Sequence, residues 1–206
     1  MSQQAPQVRL HIYEAARAPV AVILRQGPSR HTRMVFWDQR DDSFNLGQWT
    51  QRKVYFERCD IAPDGKHFLY FMLDGQWQSE AHGSYTAISR PPWFTALALY
   101  PQGDTWGGGG YFPSSKEYVI EFSGAHDIIG RAEGLRRIDA DDASPKSARG
   151  HFQSTRQFGS EGGRLLELFQ EDDGAWGKTL IRDFTDMTFE PIRAPYDLRD
   201  ETEDRP

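Results

Sequence analysis

Four tryptophans are the residues whose chemistry is best suited to binding something outside the fold. Trp49, Trp77, Trp106 and Trp176 each lie close to a glycine or an aspartate in a predicted turn. An indole offers a large apolar face and one N–H donor, so four indoles at one end of the fold would form a platform for a sugar, a peptide or another protein. Alternatively, each tryptophan covers its own hairpin or fills a gap between sheets.

A glycine-rich segment, residues 102–112, supplies the second binding candidate. Glycines 107–110 are consecutive, and four flexible residues are costly to order. One interpretation is a backbone that a ligand can approach closely, with Trp106 and Tyr111 as stacking faces and Asp104 as a polar anchor. The alternative is a hairpin connection whose tryptophan packs onto the sheet edge. No helical pattern follows, which disfavours a phosphate-binding loop.

The sequence lacks the local signatures of the common catalytic and cofactor sites. It contains no G-x-S-x-G and no H-E-x-x-H. The segment GAWGKT at 174–179 resembles the end of a nucleotide-binding loop but has Asp172 where a glycine is required. A calcium loop starting at Asp139 would end at Gly150 instead of glutamate. His126 is adjacent to Asp127, and His82 lies two residues before Ser84. Neither spacing gives a reason for the two side chains to form a catalytic contact. We therefore predict no catalytic residue, no metal ligand and no cofactor.

Carboxylates leave one enzymatic alternative open. Glycosidases need two carboxyl groups across a cleft, and Glu57, Asp60, Asp104 and Glu121 are candidates in predicted strands and loops. Nothing in the sequence selects a pair among them. The alternative function is therefore a hydrolase acting on glycans or esters through loop carboxylates.

Short apolar runs separated by turn residues predict the elements that position these groups. Val20–Arg25 and Arg33–Trp37 flank one loop, and the run from Phe68 to Leu73 is apolar on both faces, as in a central strand covered by layers on both sides. Residues 124–150 form the one long irregular segment. We predict an all-β, antiparallel fold, propeller-like or with stacked sheets, of roughly eight to twelve strands.

One hairpin signal carries a family resemblance. In residues 60–71, DIAPDGKHFLYF, Pro63 and Gly65 can form a tight turn ahead of an apolar strand. This segment resembles the hairpin of TolB-type β-propeller repeats. No second clear copy follows at the repeat period of such proteins. The resemblance implies a propeller-like scaffold for binding and says nothing about a reaction.

Composition and charge limit the location and the partners. The net charge of −6 disfavours general binding to nucleic acid, and the best basic patch, formed by Arg25, Arg30, His31 and Arg33, is more typical of a solvated turn. Cys59 is the only cysteine, which fits a cytoplasmic protein. No apolar run is long enough to span a membrane.

Domain organisation and function follow from these patterns. We predict a disordered N-terminus at residues 1–7, a single β domain at 8–196 and an acidic disordered tail at 197–206. Aromatic residues and an arginine excess are typical of interaction surfaces. The sequence therefore favours a non-enzymatic module that binds a protein or a small polar ligand through an aromatic loop surface. A homo-oligomer remains possible through open sheet edges.

Overall fold

The structure is a computed structural model, and it describes residues 8–121, 126–149, 152 and 154–197. Its elements are fifteen strands and two short 3₁₀ helices, which confirms the all-β prediction. The predicted disordered ends, 1–7 and 197–206, lie outside the described residues except for Asp197. Neither of the two helices in the described part of the chain is long and apolar enough to cross a membrane.

The strands form four sheets. The first sheet has the order β1-β2-β3-β4 and the second β11-β8-β7-β6-β5; the third is β12-β10-β9 and the fourth β13-β14-β15. Their bounds are β1 Arg9–Glu14, β2 Val20–Gln26, β3 Thr32–Asp38, β4 Ser43–Thr50, β5 Lys53–Ile61, β6 Phe68–Leu73, β7 Ser84–Ser89, β8 Ala96–Pro101, β9 Gly110–Ser114, β10 Glu117–Ile120, β11 Ile129–Gly130, β12 Arg136–Arg137, β13 Gln157–Glu161, β14 Arg164–Gln170 and β15 Trp176–Asp183. Neighbouring strands are antiparallel except for β10 and β12.

The sheets stack face to face in the order fourth, first, second, third. Alternation along β2 explains the first two interfaces: Ala21 and Ile23 pack against the fourth sheet, whereas Val22 and Leu24 pack against the second. A third apolar cluster joins the second sheet to Phe112 of β9 and its neighbours in the third. The stacked-sheet form of the prediction is therefore confirmed, and the described residues form no closed barrel or propeller.

Strand β6 confirms that a strand that is apolar on both faces lies at the centre of the stack. Phe68, Tyr70 and Met72 face the first sheet, while Leu69 faces the third, and all four are buried. The turn that precedes β6 has Gly65 at a φ of +76°, which confirms the predicted hairpin between β5 and β6. The resemblance of this hairpin to TolB-type repeats stays a prediction.

The long segment after β10 is mostly irregular, as predicted, over its described part, 126–149. It contributes the two-residue strands β11 and β12 to sheet edges, and its 3₁₀ helices are Ala140–Asp142 and Lys146–Arg149. These small strands bring the number of strands to fifteen, above the predicted eight to twelve. The sequences of β1, β4 and β13 also give weak strand signals, and these strands add to the difference. Residues 124, 125 and 150 of the predicted segment lie outside the described residues.

The connections cluster at two opposite ends of the stack. Register places 27–31, 51–52, 74–83 and 102–109 together, because Thr32 pairs with Thr50, Leu73 with Lys53 and Ser84 with Leu73. We call this group the loop end. The turn at 39–42 and the connection at 171–175 lie at the opposite end.

Candidate functional site

Two of the predicted tryptophans project from the loop end. Trp106 is 93% exposed, and its backbone N–H donates to the Asp104 carboxylate at 2.9 Å. Arg58 fixes the base of this loop, because its guanidinium donates to the carbonyl oxygens of Thr105, at 3.1 Å, and Gly107. Trp77 is 49% exposed and packs against Gly83. The loop end therefore presents one free indole on an anchored loop and one partly covered indole.

The other two tryptophans lie elsewhere, so the structure does not gather the four indoles into one platform. Trp49 is buried because β4 pairs it with Arg33 on the face toward the fourth sheet. Trp176 is exposed but opens β15 at the opposite end of the stack, where it pairs with Gln170. The indoles therefore occupy three separate places, because Trp49 is buried under the fourth sheet although its turn lies at the loop end, and Trp176 lies at the opposite end.

The glycine run has a packing explanation that differs from both predicted interpretations. A Cβ added at Gly108 would lie 2.3 Å from the Phe71 ring, and one added at Gly110 would lie 2.0 Å from the Val119 carbonyl oxygen. Both glycines also have positive φ values, +91° and +156°. The next residue, Tyr111, pairs with Val119 and is only half-buried. The glycines therefore let the chain cross closely from the second sheet to the third.

An aromatic cleft of about 760 Å³ lies between the edge of the first sheet and the middle of the second. Its walls come from β4, β6, β7 and β8 and from residues 94–95, which precede β8. Trp49 belongs to the same lining. The aromatic residues of the lining are Tyr70, Tyr85, Phe94 and Tyr196, together with Trp49, whose indole lies on the other face of β4 beside Arg33. We call this the aromatic cleft.

Hydrogen bonds hold the cleft's phenols in place. The Tyr70 hydroxyl donates to the Phe94 carbonyl oxygen, and the Tyr196 hydroxyl donates to the Thr95 carbonyl oxygen at 2.8 Å. The Tyr85 hydroxyl donates to the Met72 sulfur at 3.1 Å. Burial raises the pKa of Tyr70 well above its ordinary value, so this phenol stays neutral. The phenols of the cleft are therefore held in fixed positions by hydrogen bonds.

Charge enters the aromatic cleft only at its rim, as far as the described residues show. Arg52 lines both this cleft and a second cavity of about 640 Å³ at the loop end. Its Nε lies 3.5 Å from the Asp74 carboxylate. Asp197, at the end of the described chain, is the acidic residue of the lining. A ligand would thus meet rings inside and polar groups at the opening.

The predicted basic patch is not a solvated turn throughout. Arg30 is exposed and His31 half-buried, but Arg25 and Arg33 are 1% and 5% exposed. Alternation explains the difference, since Arg25 of β2 and Arg33 of β3 lie opposite each other on the face that the fourth sheet covers. The solvated-turn interpretation was therefore wrong for these two arginines.

Asp60 has a structural role that the hydrolase alternative did not foresee. Its carboxylate, 3% exposed, accepts hydrogen bonds from the Phe112 N–H and from Arg149, both at 2.8 Å, and lies 2.7 Å from the Lys146 ammonium. These contacts fasten the 126–149 segment to the second and third sheets. Glu57 and Glu121 are exposed on the surface. Asp60 is thus fully engaged in an ion-pair network.

Two histidines far apart in sequence meet at the loop end. The rings of His82 and His126 stack with their centroids 3.7 Å apart. Ser84 directly follows the 74–83 connection, which contains His82. Its hydroxyl donates to the Asp104 carbonyl oxygen and not to a histidine. Among the described residues no group of three or more His, Cys, Asp or Glu side chains could hold a metal ion. Burial raises the pKa of the Cys59 thiol to about 12, which makes it a poor nucleophile.

Sequence analysis missed the aromatic cleft and the histidine pair. Tyr70 carried a usable signal, because a tyrosine in a strand covered on both sides needs a hydrogen-bond partner. Tyr85, Phe94 and Tyr196 carried none, since only the register of β7 and β8 and the path of the C-terminal segment bring them together.

In comparisons of the chain with family models, with curated proteins and with solved structures, no match was found.

Proposed function

We propose that this chain is a non-enzymatic binding module whose aromatic cleft takes a small ligand with a flat apolar ring and a polar edge. The observation that carries the proposal is the aromatic lining of the cleft, which includes Tyr70, Tyr85, Phe94 and Tyr196. Its volume of about 760 Å³ lies in the range of small-molecule sites.

The chemistry of the walls defines the ligand class. Neutral rings favour stacking with a sugar face, a nucleobase or an aromatic side chain, whereas they offer little to a compact ion. Arg52 at the rim supplies a cation for a polar substituent that points outward. The ligand is therefore a ring compound of nucleoside or monosaccharide size. We also propose that the protein works in the cytoplasm, because its single cysteine, Cys59, fits a reducing compartment.

A second candidate function is capture of a protein partner by the loop end. Its support is Trp106, which is 93% exposed although Arg58 holds its loop in place. A preorganised exposed tryptophan loses little entropy on binding and is typical of interface hot spots. The hydrolase alternative has weaker support, because Asp60 is occupied by two cations.

The test of the aromatic cleft compares a variant that fills it with one that leaves it open. Ala96→Phe adds a ring inside the cleft without removing a core side chain, and Trp106→Ala removes the exposed indole. Saturation-transfer NMR with nucleosides, monosaccharides and aromatic amino acids measures binding. We expect at least one of these probes to bind the unaltered protein and Trp106→Ala, and none to bind Ala96→Phe.

Three outcomes would contradict the proposal. Binding that survives in Ala96→Phe would exclude the cleft, and binding lost only in Trp106→Ala would favour the loop end. Turnover of chromogenic glycosides or esters that disappears on Glu121→Gln would support the hydrolase. Circular dichroism and the unfolding temperature confirm that each variant is folded before its binding is compared.

A further inference from the structure

Three arginines, Arg25, Arg33 and Arg182, lie near enough to one another between the first and fourth sheets for their charges to interact. Arg25 and Arg33 are cross-strand neighbours on β2 and β3, and both are more than nine-tenths buried. Arg182 of β15 approaches from the fourth sheet, where its guanidinium lies 4.8 Å from the centre of the Phe44 ring. Like charges opposite each other in a sheet destabilise it, and buried charges need a partner.

Arg25 is satisfied by backbone carbonyl groups. Its guanidinium donates to the carbonyl oxygens of Phe184, at 2.9 Å, Thr185, at 2.8 Å, and Gly27. All three nitrogens are used, so this side chain ties the end of β15 to the connection between β2 and β3. It contributes positive charge to the cluster, while three of its five N–H groups are used by these carbonyl oxygens.

Arg33 has donors to spare. Its Nε donates to the Gly47 carbonyl oxygen at 3.1 Å, and its terminal nitrogens point toward Glu190, whose carboxylate lies 4.0 Å away. That distance is too long for a hydrogen bond. The Glu190 side chain is 60% exposed, whereas that of Arg33 is 6% exposed. Within the described residues, no other carboxylate forms an ion pair with the three guanidiniums.

Trp49 supplies an independent sign of a missing acceptor. Its ring centre lies 5.2 Å from the Arg33 guanidinium carbon, and its indole N–H is buried with no hydrogen-bond partner among the described residues. A buried donor without an acceptor costs free energy, and native structures rarely leave one so. A buried donor without an acceptor, beside a buried cation with donors to spare, supplies the groups that bind an anion.

We propose that Arg33, with the indole N–H of Trp49 as a second donor, forms a binding site for a small oxyanion, a carboxylate or a phosphate group. A guanidinium donates two parallel hydrogen bonds to either group through its terminal nitrogens. The surrounding Arg25 and Arg182 add long-range attraction without competing for the same atoms.

Glu190 acts at this site as a weak internal competitor. It lies in an irregular segment between β15 and Tyr196, close enough to attract Arg33 but too far to bond with it. Because its side chain is mostly exposed, it can turn to solvent when an anion arrives. The Trp49 indole lies beside Arg33 on the face toward the fourth sheet, so the anion site is separate from the space inside the aromatic cleft.

The experiment titrates the whole chain with inorganic phosphate, sodium acetate and sodium chloride at matched ionic strength. Tryptophan fluorescence and the unfolding temperature report binding, since Trp49 borders the site. We expect phosphate or acetate, but not chloride, to give a saturable response. Glu190→Gln should bind the same anion about two- to fivefold more tightly, because it removes a competing ion pair of ordinary surface strength.

Controls separate this site from general charge effects. Glu161→Gln removes an exposed carboxylate that pairs with Lys178, so it should leave the affinity unchanged. Arg33→Lys retains the charge but loses the two-pronged donor geometry, and it should weaken the binding of the anion. Equal responses to all three salts, or equal affinities in Glu190→Gln and Glu161→Gln, would overturn the proposal.

The comparison of phosphate with acetate identifies which oxyanion the site prefers. Ala96→Phe, which fills the aromatic cleft, should leave the anion response intact. Loss of the anion response in Ala96→Phe would show that the two sites are not separate and would contradict the proposal. Loss of ring-compound binding alone would bear on the proposed function and would agree with a separate anion site.

Discussion

At the scale of single residues, Asp60 shows how a candidate catalytic group can be a structural one. Its carboxylate is buried, yet it has two cationic partners and a backbone N–H donor. Such a network leaves the carboxylate no free lone pair to act on a ligand. The 89-residue separation between Asp60 and Arg149 also explains why no local pattern revealed the pairing.

Replacement of Asp60 by asparagine should destabilise the fold strongly. Asp60→Asn leaves Arg149, only 10% exposed, without its negative partner, and breaking a buried pair costs about 3–5 kcal/mol. Urea denaturation measures the free energy of unfolding. The control is Asp64→Asn, which removes an exposed pair with Lys66 and should cost less than about 1 kcal/mol. Equal losses in the two variants would contradict the network.

The burial of Arg25 and Arg33 could not be predicted from residue type. Charged side chains usually lie at the surface, and both arginines adjoin a polar loop. Strand alternation does place them on the face of Ile23 and Val35, so the pattern held the information. The pattern does not show that the fourth sheet covers this face, because that sheet lies more than a hundred residues later in the sequence.

At the scale of elements, one arginine fastens the fourth sheet to the first. Arg156, just before β13, donates to Asp42 in the turn between β3 and β4 and to Glu167 of β14, both at 2.8 Å. It also donates to the Gln39 carbonyl oxygen at 2.9 Å. The hydrogen bonds from Arg156 lower the pKa of Glu167 below its ordinary value of 4.5.

This linkage predicts acid sensitivity of the fourth sheet. Because the pKa of Glu167 is lower in the folded state, its contribution to stability is complete above about pH 4.5 and is lost as the pH falls through the folded-state value. Glu167→Gln should therefore lower the free energy of unfolding at pH 7, and its difference from the unaltered protein should shrink toward pH 3. Urea denaturation across this range measures the difference.

The matched control is Glu171→Gln in the exposed turn of the same hairpin. It should stay close to the unaltered protein at every pH. A gap between Glu167→Gln and the unaltered protein that is constant with pH would show that the glutamate stabilises by packing instead of by charge.

Element bounds were predictable to different degrees. The turn residues around β2, β3, β6 and β14 are clear, and these strands lie where the sequence places them. Strands β1 and β4 were missed although polar and apolar residues alternate along them, because neither has strong turn signals at both ends. Periodicity shows that a face is apolar but not which sheet covers it, so neither the stacking order nor the aromatic cleft was predictable.

At the scale of the whole molecule, the four-layer order makes stability uneven. The first and second sheets have covered faces on both sides, whereas the third and fourth each have an outer face toward solvent. On the fourth sheet, Trp176 and Leu180 are 64% and 52% exposed. Fewer buried contacts allow easier local opening.

Hydrogen exchange should reproduce this order. Amides of β6 and β7 should exchange slowest, because both strands have paired neighbours and covered faces, and those of β13 and β15 should exchange fastest among the long strands. Mass spectrometry of peptic fragments measures the rates after correction for intrinsic exchange. Equal protection of the fourth and second sheets would contradict a layered distribution of stability.

The position of the fourth sheet also matters while the protein is being synthesised. The ribosome releases the first sheet early, with Ile23, Val35 and Trp37 along one face, but their cover arrives only with Leu165 and Phe184. A nascent chain thus exposes the apolar face of the first sheet during most of its elongation. Chaperones recognise such apolar surfaces, and such surfaces also promote aggregation. Slow translation between these two regions would prolong that exposure.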